Sequence, residues 1–127
     1  MSNLIWGTPN YSDAGSIYTP TLSGGAWVTN LPLTNLQDRR LSAVARTSSV
    51  TLSATQFDVD LKTSRPIRVI AGCAHNFTTG ALFKITGSDN ADMSSPVYAG
   101  SWVTCYDSSV TAEDIADAYH NWDFWAV

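Results

Sequence analysis

Gln56-Phe57-Asp58-Val59-Asp60-Leu61 is the stretch whose pattern decides the fold. Apolar Phe57, Val59 and Leu61 alternate with Asp58 and Asp60. Successive side chains of an extended chain point to opposite faces, so this period of two predicts a strand with one buried and one wet face. Asp58 and Asp60 then share the solvent face. Two carboxylates side by side on one strand do not flank a substrate bond as a glycosidase pair must.

The same period recurs on either side. Toward the C-terminus, Arg65-Pro66 opens the β-branched run Ile67-Arg68-Val69-Ile70-Ala71-Gly72-Cys73. Proline has no N–H to give a ladder, so Pro66 starts that strand and does not sit within it. Ala81-Leu82-Phe83-Lys84-Ile85-Thr86 predicts a third strand, closed by the turn residues Gly87-Ser88-Asp89-Asn90. Val97-Tyr98 and Ser101-Trp102-Val103-Thr104-Cys105 predict a fourth and fifth, with Trp102 in the core. Toward the N-terminus, Ser49 to Thr55 alternates with Val50, Leu52 and Ala54 on one side, and Asn3–Trp6 and Ala26–Thr29 are short strand candidates. Leu31 to Leu36 reads as a loop with one helical turn around Asn35 to Arg39.

Near the C-terminus the period changes. Thr111 with Asp114 three residues on forms a capping-box-like start, and Ile115, Ala118, Tyr119 and Trp122 fall on one helical face. The sequence therefore predicts an all-β chain, an antiparallel β-sandwich or jelly roll with one short helix near the C-terminus. Residues 1–30 form an N-terminal arm and first strands. Residues 31–110 form the sandwich core. Residues 111–127 form the short amphipathic helix and an aromatic tail, read as the start of an insertion or a continuation beyond Val127.

Composition narrows the function. The chain has 127 residues, one domain's worth, with 44% apolar and 14% charged residues and a net charge of −4. Its seven basic residues are scattered, apart from Arg39, Arg40 and Arg46, whereas phosphate binding needs clustered cations. Arg39 and Arg40 beside Asp38 read as a solvated or ion-paired loop, and a nucleic-acid partner is not expected. No stretch reaches the ~20 apolar residues of a membrane span, and no secretory leader pattern opens the chain. Cytoplasmic synthesis is expected, with Cys73 and Cys105 as buried thiols and not a disulfide or a zinc site.

Catalytic signatures are missing: no GxSxG, phosphate-binding GxxxxGK[ST], HExxH or CxxC motif occurs. Residues 87–92 lack the frame of a calcium loop. No enzyme activity, catalytic residue, metal or cofactor is expected. His75 and Asn76 follow the strongest apolar run and read either as loop residues bonding their own backbone or as ligand contacts. Trp122, Phe124 and Trp125 crowd the last six residues and read as packing or as partner contacts.

The order of these segments carries a resemblance. A Leu31-Pro32-Leu33-Thr34-Asn35-Leu36-Gln37-Asp38 lead-in precedes Val44-Ala45-Arg46-Thr47 and Phe57-Asp58-Val59-Asp60-Leu61. Arg65-Pro66-Ile67-Arg68-Val69-Ile70-Ala71 and His75-Asn76 follow. Phe83-Lys84-Ile85-Thr86-Gly87-Ser88-Asp89 and Pro96-Val97-Tyr98-Ala99-Gly100-Ser101-Trp102 complete the series. Taken together, residues 31–105 resemble the discoidin-like, galactose-binding-like jelly roll found in tail proteins of tailed bacteriophages. Lys62 stands where that family often has Gly and Ala99 where an acidic residue is common, which sets a family-type ligand or metal loop aside. The resemblance implies a virion structural protein, a tail-tip, baseplate or fibre-attachment module that docks other phage tail proteins in a symmetric multi-subunit assembly. It places the chain in the virion tail after synthesis in the host cytoplasm. The alternative is a carbohydrate-binding module contacting a host surface glycan.

Overall fold

The computed structural model describes residues 11, 13–38, 40, 42–67, 70 and 76–114. The chain divides into two compact units, Met1–Ile70 and Ala71–Val127. Among the described residues, six short strands outnumber the helical segments, and every strand pair is antiparallel. No helix there is long and apolar enough to cross a membrane. The chain is β-rich, as its dominant period requires.

In the first unit, β1 (Thr21–Ser23) pairs with β2 (Asp58–Asp60) in the register Thr21↔Asp60, Leu22↔Val59, Ser23↔Asp58. Opposed residues share a face, so Leu22 and Val59 form the apolar side and the hydroxyls and carboxylates the wet one. On the wet side Lys62 Nζ donates to Asp60 Oδ2 at 2.8 Å and to Thr21 Oγ1 at 2.9 Å. The Lys62 N–H donates to Asp60 Oδ1, which supports Lys62 in its left-handed conformation at φ 64°.

The apolar side is less enclosed than the alternation predicts. Phe57 is 41% and Val59 38% exposed. The Trp27 ring meets Phe57 edge-on at 5.9 Å, and β2 has one strand partner, so the face is only partly covered.

Trp27 belongs to a second extended pairing. Val28 N–H donates to Arg46 O and Ser48 N–H to Ala26 O, with Trp27 bridged to Thr47. Gly24 and Gly25 turn the chain between β1 and this segment, both at positive φ. At Gly25 a Cβ would lie 2.7 Å from Trp27 Nε1 and 2.9 Å from the carbonyls of Ala54 and Gln56. Here glycine is demanded by space as well as by conformation.

Two helical segments complete the unit. The turn expected around residues 35–39 is a 3₁₀ helix at Leu33–Gln37, with Leu33 buried. Ser49–Thr55, read above as alternating, instead winds into α1 (Leu52–Thr55), with Ala54 buried. Hydroxyls explain the departure: Thr55 Oγ1 donates to the Thr51 and Leu52 carbonyls, and Ser49 Oγ accepts the Thr51 N–H. Such local side-chain bonds offer the backbone an alternative to a ladder.

In the second unit, β3 (Leu82–Phe83) pairs with β6 (Val103–Thr104), and β4 (Thr86–Gly87) with β5 (Tyr98–Ala99). Leu82 faces Thr104, Phe83 faces Val103, Thr86 faces Ala99 and Gly87 faces Tyr98. Between Phe83↔Val103 and Thr86↔Ala99 stand Lys84 and Ile85 on one strand and Gly100, Ser101 and Trp102 on the other. One extra residue is thus accommodated as a β-bulge, which breaks the expected single strand over residues 81–86 into β3 and β4. The four strands are halves of one interrupted hairpin. The bonds Cys105 N–H to Ala81 O and Gly100 N–H to Ile85 O, each 2.9 Å, extend it.

Trp102, expected in the core, is 51% exposed beside this bulge. The hairpin's connection is fastened from within: Ser88 Oγ and Asn90 Nδ2 both donate to the Ser94 carbonyl, while Asp92 Oδ1 accepts the Ser94 N–H. The capping box is formed at residues 111–114. Thr111 N–H donates to Asp114 Oδ2 at 2.7 Å, and Asp114 N–H donates to Thr111 Oγ1 at 3.2 Å. The expected helical face of Ile115, Ala118, Tyr119 and Trp122 lies outside the described residues.

Candidate functional site

Alternation through the interrupted hairpin fixes which side chains travel together. Phe83 and Val103 are opposed, and so are Gly87 and Tyr98. The bulge absorbs one residue, so both pairs fall on the same face, together with Ile85 and, by continuation, Ala81 and Cys105. That face is wholly apolar, apart from the Tyr98 hydroxyl and the Cys105 thiol. Lys84 and Thr86 fall on the opposite face. Phe83 is 42%, Val103 48% and Tyr98 59% exposed, while Ala81, Ile85 and Cys105 are half-buried.

Backbone fit sharpens this surface. A Cβ at Gly100 would lie 3.0 Å from the Ile85 carbonyl and 3.2 Å from the Tyr98 hydroxyl, so the ring rests over the bulge where only a bare backbone fits easily. Burial pushes the Cys105 thiol above its ordinary value, and the Tyr106 phenol likewise, the latter with a contribution from Cys105. A raised thiol pKa disfavours the nucleophilic thiolate at neutral pH. This is the chemistry of a contact surface.

The first unit holds two further groupings. Arg65 carries its guanidinium 4.1 Å from the Tyr18 ring centroid and 5.4 Å from that of Tyr11, and the two rings meet edge-on at 4.9 Å. Among the described residues Arg65 Nε is buried without an acceptor, while the guanidinium lies against the two tyrosine rings. The cluster straps residues 11–18 to residue 65. An open depression of about 410 Å³ lies nearby in sequence, lined by Asp13, Ala14, Thr34, Asn35, Gln37 and Asp38. Its amides are engaged: Asn35 Nδ2 donates to Val44 O and Gln37 Nε2 to Pro20 O. Asp38 is engaged as well, gripped by Arg40 at 2.6 Å, which lowers its carboxyl to about 2. The ion pair expected for Asp38 is thus formed with Arg40.

Of the residues marked from sequence, Asn76 is exposed and outside any strand, just before the hairpin. His75, Trp122, Phe124 and Trp125 lie outside the described residues, as does Cys73. Among the described residues no group of three or more His, Cys, Asp or Glu could hold a metal ion. Phe83, Tyr98 and Val103 were legible as strand residues, yet alternation is the same for a side chain facing a core and one facing a partner. The Arg65 strap had no sequence signal, since its members are remote in the chain. Comparison with protein-family models, curated proteins and solved structures finds no match for this chain.

Proposed function

We propose that this chain is a structural module of a bacteriophage tail that docks neighbouring tail proteins, and that its strands belong to a galactose-binding-like jelly roll. The observation that carries the docking reading is the apolar hairpin face, where Phe83, Tyr98 and Val103 keep 42–59% of their surface in water. The resemblance of residues 31–105 supplies the viral setting.

Magnitudes support a protein partner. With ~150–250 Å² per large side chain, the exposed parts of these three residues amount to roughly 300 Å². At ~25 cal/mol per Å², covering them is worth about 7 kcal/mol before the cost of association. A standard interface takes ~800 Å² from each partner, so a docked protein also covers surface flanking the hairpin.

A glycan site has less behind it. In the depression of the first unit, Asn35 and Gln37 each already give one amide N–H to a backbone carbonyl, of Val44 and Pro20, and the Asp38 carboxylate is paired with Arg40. Polar groups already engaged contribute little net energy to a sugar hydroxyl.

Quantitative mass spectrometry and imaging of purified tailed particles test the proposal. The chain is expected in fixed stoichiometry on the tail, and glycan arrays probed with the purified chain are expected to stay blank. Absence from assembled particles refutes the structural role; array binding that survives high salt moves the assignment to the carbohydrate module.

A further inference from the structure

The apolar face is bounded by charge of one sign. Residues 76–114 carry five carboxylates (Asp89, Asp92, Asp107, Glu113 and Asp114) and one cation, Lys84. Asp89 and Asp92 stand in the turn that closes the hairpin at its β4–β5 end. Beyond the other end of the hairpin the chain carries Asp107 two residues after Cys105, and then Glu113 and Asp114. Between the two groups, residues 93–106 contain no charged side chain. Lys84 alternates onto the opposite face from Phe83 and Ile85.

Three of these carboxylates are held in the ionised form by local hydrogen bonds. Asp92, Asp107 and Asp114 each accept hydrogen bonds from Ser94, Ser109 and Thr111 respectively, and those bonds hold each carboxyl below its ordinary value. None of the five has a cationic partner among the described residues; the ion pairs there are Asp38 with Arg40 and Asp60 with Lys62. Geometry sets a length as well. From Ala81 to Gly87 the strand rises ~3.3 Å per residue, so the apolar stripe runs for about 20 Å between its two acidic ends.

We propose that this face receives a polypeptide segment of a partner protein whose apolar side chains cover Phe83, Tyr98 and Val103 and whose Lys or Arg residues flank that apolar stretch at both ends. The inference rests on the docking reading and specifies the partner's chemistry. The same face of a second copy is the poorer occupant, because two such faces would set carboxylates against carboxylates. A basic-ended segment meets every requirement at once: apolar against apolar in the middle, cation against carboxylate at the rim. Rim charges mainly set on-rate and specificity, while the central apolar contacts set how long the complex lasts.

The test uses the full chain and three labelled synthetic peptides of ~14 residues, about 21 Å long as a helix. One carries a Leu/Val face with Lys pairs at both termini, a second carries the same face with Glu pairs, and a third keeps the Lys pairs with the apolar residues scrambled. Fluorescence anisotropy is expected to show the Lys-ended amphipathic peptide binding at least ~10-fold tighter than either control in low salt, with the advantage over the Glu peptide shrinking in ~0.5 M salt. Asp89→Asn with Asp92→Asn should weaken the Lys peptide about threefold and, by relieving repulsion, tighten the Glu peptide, so that the gap between the two narrows. Val103→Lys should abolish binding. Val103→Thr, a milder change checked by circular dichroism, should weaken it without unfolding the chain.

Equal affinity for the Lys- and Glu-ended peptides overturns the inference, and so does equal affinity for the scrambled one, no binding at all, or self-association that excludes the peptide. Particle composition separates the two failures. A chain found on tails that shows no preference for basic ends keeps its docking role and loses this partner chemistry. A chain absent from tails that still prefers the Lys peptide loses the viral setting alone.

Discussion

Replacing Gly25 by Ala should be among the most damaging small changes in the first unit. The new Cβ would be built at φ +68° and would lie 2.7 Å from Trp27 Nε1 and 2.9 Å from each of the Ala54 and Gln56 carbonyl oxygens. Left-handed backbone costs a non-glycine residue ~1–2 kcal/mol. Two backbone oxygens cannot swing aside as a flexible side chain can, and forced shifts of this kind cost about 1–3 kcal/mol more. The sum, about 2–5 kcal/mol, is a large part of the ~5–15 kcal/mol by which a typical domain is stable.

Two other glycines calibrate the reasoning. Gly24 has φ +86°, yet its Cβ would meet nothing closer than 3.5 Å. Gly24→Ala should therefore cost the conformational part alone, about 1–2 kcal/mol. At Gly80 nothing lies within 4 Å, and Gly80→Ala should stay within ~0.5 kcal/mol of the parent or stabilise slightly. Urea titrations followed by the Trp27 indole N–H resonance read the first unit directly, because that N–H donates to Gly24 O at 2.9 Å. With m near ~1–3 kcal/mol/M, the Gly25→Ala midpoint should fall by about 1–2 M. A midpoint within error of the parent, or a larger loss at Gly24 than at Gly25, refutes the account.

Arg65→Ala removes the cation shared by Tyr11 and Tyr18 and should cost about 1–2 kcal/mol. The expected signature is faster limited proteolysis within residues 11–20; an unchanged cleavage rate counts against the strap. Asp38 should titrate with a midpoint near 2 because Arg40 bonds its carboxylate. Since that value lies below the ordinary 3.8, the pair's contribution is present above about pH 4 and is lost as pH falls toward 2. Both groups face solvent, so the contribution is small and fades in salt. A carboxyl carbon shift titrating near 3.8 would contradict the pairing. Thr111→Ala breaks both hydroxyl bonds of the capping box and should cost the following helical turn about 1 kcal/mol, read as faster amide exchange at Asp114.

Much of the local structure was written in the residues. Alternation around Val59 marked β2, the Gly87-to-Asn90 cluster marked the hairpin turn, and Thr111 with Asp114 announced a cap that the hydrogen bonds bear out. Each signal is short-range, carried by neighbours within a few positions. Ser49–Thr55 misled because its alternation was matched by a run of hydroxyls able to bond the nearby backbone, and those bonds won. Trp102 misled because an aromatic between apolar strand residues looks inward unless a bulge redirects it, and a bulge depends on the length of the opposite strand. Arg65 between two tyrosines could not be anticipated, since which ring a cation meets is settled by the tertiary path. The candidate surface was half legible: its residues were assigned to strands, and its exposure depends on what packs against it.

The extra residue in the hairpin also bears on how such a chain can change length. Seven positions, 81–87, answer eight, 98–105. Deleting Ser101 would equalise the two and join the ladder from Phe83↔Val103 to Gly87↔Tyr98 without turning either half over. Outside residues 100–102, losing one residue would invert every side chain beyond the cut. Divergent lineages could therefore shed or regain this single position freely, altering the bend and the aim of Trp102 while the apolar stripe stays in place.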